Sequence, residues 1–234
     1  MRACRGRHRA PRAVRSQSPG PAGGGDFTLC HEFLGCRLAR LFGLSAPRSV
    51  LVDLSPAFIA AVASDLEREG LQPEPGLAVG VEHVRNLYAF PASPSLGESE
   101  IVDAARIYAF DLAVQNPDRT GRWPNCGRAS DGVVPYDFEN AFSFRFALLT
   151  PEPWEANRLG FAHQHLFYSQ LRTADVDWVS VFGPMRQVTV EDIETVCGTI
   201  PDPWRSIGND IRAHLSTVVE HWPDFEREVR ASIS

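Results

Sequence analysis

Lysine is absent from this chain of 234 residues, and arginine supplies every strongly basic side chain. Chemistry that requires a lysine amine therefore cannot be carried by these residues. No run of apolar residues approaches the ~20 that a helix needs to span a bilayer, and the basic start lacks the apolar stretch of a secretory signal. We therefore expect no membrane partner.

Paired cysteines are also lacking. Five cysteines are scattered along the chain without the regular spacing of a disulfide framework or a zinc site. A reduced, cytoplasmic protein fits this usage best, because disulfides persist mainly in oxidising compartments. The cysteines are Cys4, Cys30, Cys36, Cys126 and Cys197.

Acidic residues are missing before Asp26, where six arginines fall. The whole chain carries a net charge of -6, so the remainder is more acidic than the total suggests, and we do not expect the folded body to bind nucleic acid. Residues 1–25 have almost no aliphatic side chains and are rich in Gly and Pro, which predicts disorder. An unstructured or wrongly assigned start is favoured over a basic tail that binds nucleic acid or membrane.

The rest of the sequence has ordinary globular composition, 44% hydrophobic and 22% charged, enough for one large core or a two-lobed domain. Apolar spacing of three to five residues predicts helices, and short β-branched runs predict strands. Ser55 is a plausible N-cap for the second helix. The predicted elements are a helix from Phe27 to Gly43, a strand over Ser49–Leu54, a helix from Pro56 to Glu69, a strand over Leu77–Val81, and a helix from Glu98 to Asn116.

A Pro/Ser-rich stretch at residues 89–97 is the best candidate for a boundary between two lobes. We therefore divide the chain into a disordered start (1–25), a partial N-terminal lobe (26–95) and a helical C-terminal lobe (96–234). Four helices are predicted in the last third, and Thr189 with Asp192 resembles a capping box at the start of one of them. The mixture predicts an α+β fold. These helices cover residues 152–172, 176–182, 190–200 and 204–232.

The stretch from Tyr108 to Phe142 carries the most specific signal. An apolar helix ends before Asp118, and an apolar strand that begins at Gly132 ends at Asp137, with Asn125 between them. Loop Asp and Asn residues usually serve turns, but a charge at the end of an apolar strand costs free energy unless a metal or partner compensates. Two carboxylates and an amide are what phosphoryl transfer needs, one carboxylate for the acceptor hydroxyl and the others for magnesium.

The same stretch resembles the catalytic core of the HipA-like kinases. The resemblance rests on an N-x-D-R loop, on a strand that ends in Asp with "AF" shortly after it, and on two flanking helices. It covers roughly residues 29–232, and its most specific part lies between Asp118 and Phe142. The matching residues are Asn116-Pro117-Asp118-Arg119, Pro124-Asn125, Tyr136-Asp137-Phe138-Glu139-Asn140-Ala141-Phe142, Glu32-Phe33-Leu34 through Leu44, and Ile200-Pro201 to Trp204.

This resemblance implies a kinase-like, two-lobed domain with a reduced N-terminal lobe that uses ATP and magnesium. Asp118 would be the base that orients the acceptor hydroxyl, for which protein serine or threonine is the example the family supplies. Asp137, with Asn125, would hold the metal, and Glu32 would be the helix glutamate that pairs with the lysine gripping ATP.

Two departures from the family pattern keep other interpretations open. The lysine is missing, and an arginine such as Arg15 is a poor substitute because of its rigid fork. The metal-binding amide usually lies five residues after the catalytic Asp, where this chain has Trp123, which offers no oxygen. The alternatives are a catalytically impaired relative that acts as a binding or regulatory module, and a product truncated by a wrong start or frameshift.

His163 and His165 form the only close histidine pair. A helix is predicted over these residues, and side chains two positions apart on a helix face different directions. We therefore expect structural or partly exposed histidines rather than a metal site.

Overall fold

The computed structural model describes residues 26–68, 75–130 and 132–234. Helices surround two small antiparallel sheets, so the predicted α+β class is confirmed. The predicted disorder of residues 1–25 and the predicted end of the second helix at Glu69 lie outside the described residues. The elements are α1 (Asp26–Leu41), β1 (Ser49–Leu54), α2 (Pro56–Ala61), α3 (Ala63–Arg68), β2 (Gly76–Val81), β3 (Tyr88–Ala89), α4 (Glu98–Ala113), β4 (Cys126–Ala129), β5 (Gly132–Pro135), α5 (Tyr168–Leu171), α6 (Trp178–Met185), α7 (Val190–Cys197), α8 (Arg205–Glu220) and α9 (Trp222–Ser232).

Helix α4 is the central element of the core. Every residue from Ile107 to Ala113 is buried, which an apolar helix requires when neighbours pack on all sides. Glu100 supports its first turn by accepting a hydrogen bond of 2.8 Å from the backbone N–H of Gly97. The chain leaves the helix at Gln115, whose φ of 47° turns it sharply into the loop before Asp118.

Two sheets flank this core. Strands β1 and β2 pair with each other, from Ser49 opposite Val81 to Leu54 opposite Gly76. Strands β3, β4 and β5 form a second antiparallel sheet. The sequence predicted β5 but missed β4 and the two-residue strand β3, which pairs with β4 although it precedes residue 96. The division into lobes at residue 95 stays a prediction.

Helix α1 lies between the two sheets. Its carbonyl at Phe33 accepts a 2.8 Å hydrogen bond from the Ser49 hydroxyl at the start of β1. On another side Gly35 allows the helix to pack directly on Phe138, because a Cβ at this position would lie 2.3 Å from the Cβ of Phe138. A movement of α1 would therefore displace both the β1–β2 sheet and the residues beside Asp137.

The second predicted helix is split in two. Ser55 is the N-cap, as predicted, and its hydroxyl accepts a hydrogen bond from the Phe58 N–H at 3.1 Å. The helix then breaks at Val62, where φ is -111°. Short helices depend on tertiary packing for their stability, and no residue of α2 is buried. Packing that could hold one continuous helix is weak here.

The helix predicted over residues 152–172 is wrong. This segment contains only 3₁₀ turns at Ala156–Arg158 and Ala162–Gln164, followed by the one-turn helix α5. Pro153 and Gly160 interrupt the helical pattern. Tertiary contacts also compete with it, because His165 pairs with Thr120 in an isolated β-bridge.

The C-terminal helices follow the sequence more closely. The capping box is confirmed: Asp192 N–H donates to the Thr189 hydroxyl, and Thr189 N–H donates to the Asp192 carboxylate at 2.9 Å. The long helix predicted over 204–232 is divided at His221, since Pro223 lies in the first turn of a new helix. No helix in the described ranges is long and apolar enough to cross a membrane.

Candidate active site

The β4–β5 hairpin brings Asn125 close to Asp137. Cys126 and Pro135 are the last paired residues at its open end, and Tyr136 N–H donates to the Asn125 carbonyl at 3.0 Å. Asn125 thus stands just before the first strand, and Asp137 stands just after the second, one residue beyond Tyr136. The antiparallel register therefore places an amide and a carboxylate at the same edge of the sheet.

Asp118 faces this edge from the loop that follows α4. Its Oδ2 accepts hydrogen bonds from the side-chain amides of Asn125, at 3.1 Å, and Asn140, at 3.0 Å. Its backbone N–H donates to Asn116 Oδ1 at 3.2 Å. These contacts fix the half-buried carboxylate between the loop and the residues that follow β5.

Trp123 points away from this arrangement. Its side chain is 51% exposed, and Arg122 lies over its ring, with 5.4 Å from the guanidinium carbon to the ring centroid. A turn holds the backbone, because Thr120 N–H donates to the Trp123 carbonyl at 2.9 Å. The amide that reaches Asp118 belongs to Asn125, seven residues after it, rather than to the position five residues after it.

Glu32, on α1, lies at the same edge of the sheet. We call the region around Asp118, Asn125, Asp137 and Glu32 the corner. Its carboxylate accepts hydrogen bonds from the backbone N–H of Phe138 and from the Cys36 thiol, the latter at 3.4 Å. Burial raises the pKa of Glu32 to about 7, and the negative charge of Asp137 adds to this effect. The structure thus places Glu32 against the backbone beside Asp137, where its carboxyl is largely neutral below pH 7.

Four residues of this corner have left-handed backbone conformations. Their φ values are 47° at Gln115, 42° at Asn125, 61° at Asp137 and 61° at Phe142. Non-glycine residues seldom adopt such angles, and each costs on the order of 1 kcal/mol or more unless the surroundings hold it in place. Such strain at all the bends around Asp118 is typical of a functional site.

A buried polar network lies beneath the loop, and sequence reasoning missed it. Arg119 and Asp111 form a fully buried ion pair, with 2.5 Å between Arg119 Nε and Asp111 Oδ2. His165 Nε2 lies 3.0 Å from the same oxygen, and the Asn116 amide donates to Asp111 Oδ1 at 3.0 Å. The N-x-D-R pattern indicated Arg119 as part of the motif, but no local signal showed that Asp111 is its partner.

The charges in this network balance one another. Burial pushes the pKa of Asp111 upward, but Arg119 and His165 beside it outweigh burial and hold that pKa below its ordinary value. Burial lowers the pKa of His165, so its imidazole is neutral. His165 is buried in this network, whereas His163 is exposed.

The oxygen donors at the corner suit magnesium. Carboxylate and amide oxygens are ligands for this ion, which usually keeps several waters and needs only one or two carboxylates. Asp137 and Asn125 supply such oxygens at one edge of the sheet. Within residues 26–68, 75–130 and 132–234, no group of three or more His, Cys, Asp or Glu side chains could hold a metal.

The mixed helices and small antiparallel sheets are those of an α+β, kinase-like domain. The comparison with family models identifies the branch. The model of the HipA-like kinases matches residues 21–224, which is most of the chain, and the protein belongs to that family. No curated protein matches the sequence.

Proposed function

We propose that this protein transfers the γ-phosphate of ATP to an acceptor hydroxyl in a magnesium-dependent reaction. The observation that carries the proposal is the convergence of Asp118, Asn125 and Asp137 at the open end of the β4–β5 hairpin. Phosphoryl transfer depends almost entirely on positioning and electrostatics. A rigid corner of oxygen donors on strained backbone supports that kind of chemistry.

Asp118 is suited to receive the acceptor. Both amide hydrogen bonds go to its Oδ2, so Oδ1 can accept a hydrogen bond from a hydroxyl group. The two amides hold this oxygen from the residue before β4 and from the segment after β5. Asp118 would thus orient the hydroxyl oxygen and take up its proton as the bond to phosphorus forms.

Asp137 and Asn125 are the residues that would hold magnesium. When bound, the ion would supply positive charge that offsets the charge of the phosphate groups. The φ of 61° at Asp137 turns the chain away from β5 at this point. The N–H of Phe138, immediately after it, is bonded to Glu32, which limits how far Asp137 can move.

Glu32 would lie beside the nucleotide, and its interaction there would depend on whether its carboxyl is ionised. The charges that act on it come from Asp137 and Glu139, and both are negative. A cation placed near Glu32 would favour its ionised form. Because the chain has no lysine, the phosphate contact that the family assigns to a lysine must come from another group.

A second candidate function is a binding or regulatory module without phosphotransfer. The missing lysine favours it, together with the engagement of Glu32 by a backbone N–H rather than by a cation. In that case the corner would still bind nucleotide or metal, but it would lack part of the charge stabilisation that the transition state needs.

Labelled ATP and thermal denaturation distinguish the two candidates. We expect ATP with magnesium to raise the melting temperature of the wild type, and the labelled γ-phosphate to appear on the protein or as free phosphate. Asp137→Asn should lose both effects. Stabilisation without any transfer would support the module, whereas the absence of both would contradict nucleotide use altogether. The acceptor and the cytoplasmic location stay predictions.

A further inference from the structure

Arg119 makes contacts with each part of the corner described above. It follows Asp118 directly in the chain. Its Nη1 donates to the Asn125 carbonyl and, at 3.3 Å, to the Tyr136 carbonyl. Its guanidinium lies over the Phe138 ring, 5.2 Å from the centroid. A single buried side chain therefore touches the backbone before β4 and the residues on both sides of Asp137.

The position of this guanidinium is fixed by its partner. Arg119 Nε and Nη2 donate to the two oxygens of Asp111, at 2.5 and 3.4 Å. Such a fork needs a planar group with donors in fixed directions, which lysine lacks. Asp111 lies in the last turn of the buried helix α4, so the guanidinium is tied to the most rigid part of the core.

Two residues at or next to the contacts of Arg119 have strained backbone conformations. Asn125 has a φ of 42° and Asp137 a φ of 61°. The carbonyls bonded to Arg119 are those of Asn125 itself and of the residue before Asp137. Strained conformations persist only when surrounding contacts hold them, and Arg119 supplies such contacts at both places.

We propose that Arg119 is the positioning residue of this site, which holds Asn125 and Asp137 in place relative to Asp118. Asp111 balances its charge, and His165 lies within hydrogen-bond distance of the same Asp111 carboxylate. The inference rests on the proposed phosphotransfer, but its structural part concerns the geometry of this chain alone. It assigns a role to a buried ion pair that would otherwise be regarded as part of the core.

The test compares Arg119→Lys with Arg106→Lys. Arg106 is a matched control because it also donates to two backbone carbonyls, of Val181 at 3.2 Å and Ser180 at 2.6 Å, and lies 3.7 Å from an acid, Asp103. It joins α4 to α6 rather than to the hairpin. Both changes keep the positive charge and remove the fork.

We expect Arg119→Lys to lower kcat about 100-fold, since displacement of reacting groups by about 1 Å can have that effect. The KM for ATP should change less than about threefold, because the guanidinium points to the backbone. Arg106→Lys should change kcat less than about threefold. A loss of kcat that is equal in the two variants would overturn the proposal.

A second readout does not depend on activity. The chain has six asparagines, so ¹⁵N-asparagine labelling gives a simple NMR spectrum of side-chain amides. The Asn125 and Asn140 amides, both bonded to Asp118, should shift in Arg119→Lys and stay in place in Arg106→Lys. Unchanged Asn125 signals in Arg119→Lys would refute the positioning role, whatever happens to kcat.

The same spectrum separates failure of this proposal from failure of the proposed function. If the wild type transfers no phosphate, the proposed function fails, and the amide shifts alone decide the role of Arg119. If Arg119→Lys does not fold, His165→Phe replaces it, since phenylalanine removes the hydrogen bond to the Asp111 carboxylate that holds Arg119. A smaller shift of the Asn125 amide is then expected, and no shift contradicts the proposal.

Discussion

Two regions of the molecule differ in how well their residues are buried and hydrogen-bonded. In the corner around Asp118, buried polar groups are paired and the strained bends are held from several sides. The arm formed by β1, α2, α3 and β2 is a two-stranded sheet with short helices at its tip. Several of its apolar side chains are exposed, with 56% for Val50, 48% for Phe58 and 40% for Leu77.

The comparison shows that the residues proposed to bind acceptor and metal are supported by the core, whereas the β1–β2 side of the molecule has few buried contacts. A two-stranded sheet alone is marginally stable. Helix α1 joins the two regions through Ser49 and Phe138. We therefore expect substitutions in the corner to have large effects and equivalent substitutions in the arm to have small ones.

The largest expected effect concerns activity at Asp118. Asp118→Asn removes the carboxylate that would receive the hydroxyl proton, and we expect phosphotransfer to fall by roughly three orders of magnitude, as removal of a general base and its charge implies. The melting temperature should fall by less than about 4 °C, since the residue is only half-buried. Labelled-phosphate transfer and thermal denaturation measure the two quantities. A large loss of stability would instead identify a structural aspartate.

The next effect concerns stability. Asp111→Asn leaves Arg119 as an unpaired charge in the core, which we expect to lower the free energy of unfolding by about 3–5 kcal/mol. Asp65→Asn is the matched change in the arm, where the carboxylate pairs with Arg68 in solvent. It should cost less than about 1 kcal/mol. Urea denaturation of both variants tests the contrast, and similar losses would refute it.

A pair of glycines gives a smaller and more local contrast. Gly35→Ala forces a methyl group into Phe138, and we expect a loss of about 2 kcal/mol from overpacking. A Cβ at Gly80 would meet only the methyl groups of Val50 and Val52, at 3.1 and 3.2 Å, and Gly80→Ala should stay within about 0.5 kcal/mol. The denaturant midpoints of the two variants measure this contrast. An unchanged midpoint for Gly35→Ala would contradict the close packing of α1 on Phe138.

The smallest effect depends on pH. Because the pKa of Glu32 is raised to about 7 in the folded protein, the folded state binds a proton more tightly than the unfolded state, and stability falls as pH rises from about 4.5 to 7. Glu32→Gln removes this loss. Its unfolding free energy relative to wild type should be higher at pH 8 than at pH 5 by on the order of 1 kcal/mol.

The control for that measurement is Glu82→Gln in the arm. Glu82 also accepts a hydrogen bond from a backbone N–H, that of Arg48 at 3.1 Å, but it is exposed. Thermal denaturation at the two pH values compares the variants. The interpretation of Glu32 would be wrong if its substitution changed stability equally at pH 5 and pH 8.

Features that depend on neighbours in sequence were predictable. The caps at Ser55 and Thr189 rest on residues three positions apart, and the apolar face of α4 repeats with the helical period. The α+β class and the family followed from these elements and from the motif between Asp118 and Phe142. The positions of the four predicted site residues are now described, while their roles stay predictions.

Features that depend on distant residues were not predictable. Asp111 and His165 are 54 positions apart, yet they meet in one network, and no periodicity encodes that contact. The segment from 152 to 172 is predicted to be helical, but it contains only 3₁₀ turns and the one-turn helix α5. Its pairing with the loop at Thr120 overrides local preference.

The left-handed bends at Gln115, Asn125, Asp137 and Phe142 have a consequence for protein engineering. Glycine at Asn125 or Asp137 would relieve backbone strain, so a search for heat-resistant variants would be drawn to these two, whereas the side chain of Phe142 is buried in the core. Such variants would exchange the geometry of the corner for thermal tolerance, as stability and activity often oppose each other at strained sites. Stabilising changes are better sought in the arm, where exposed apolar side chains can be replaced without disturbing the corner.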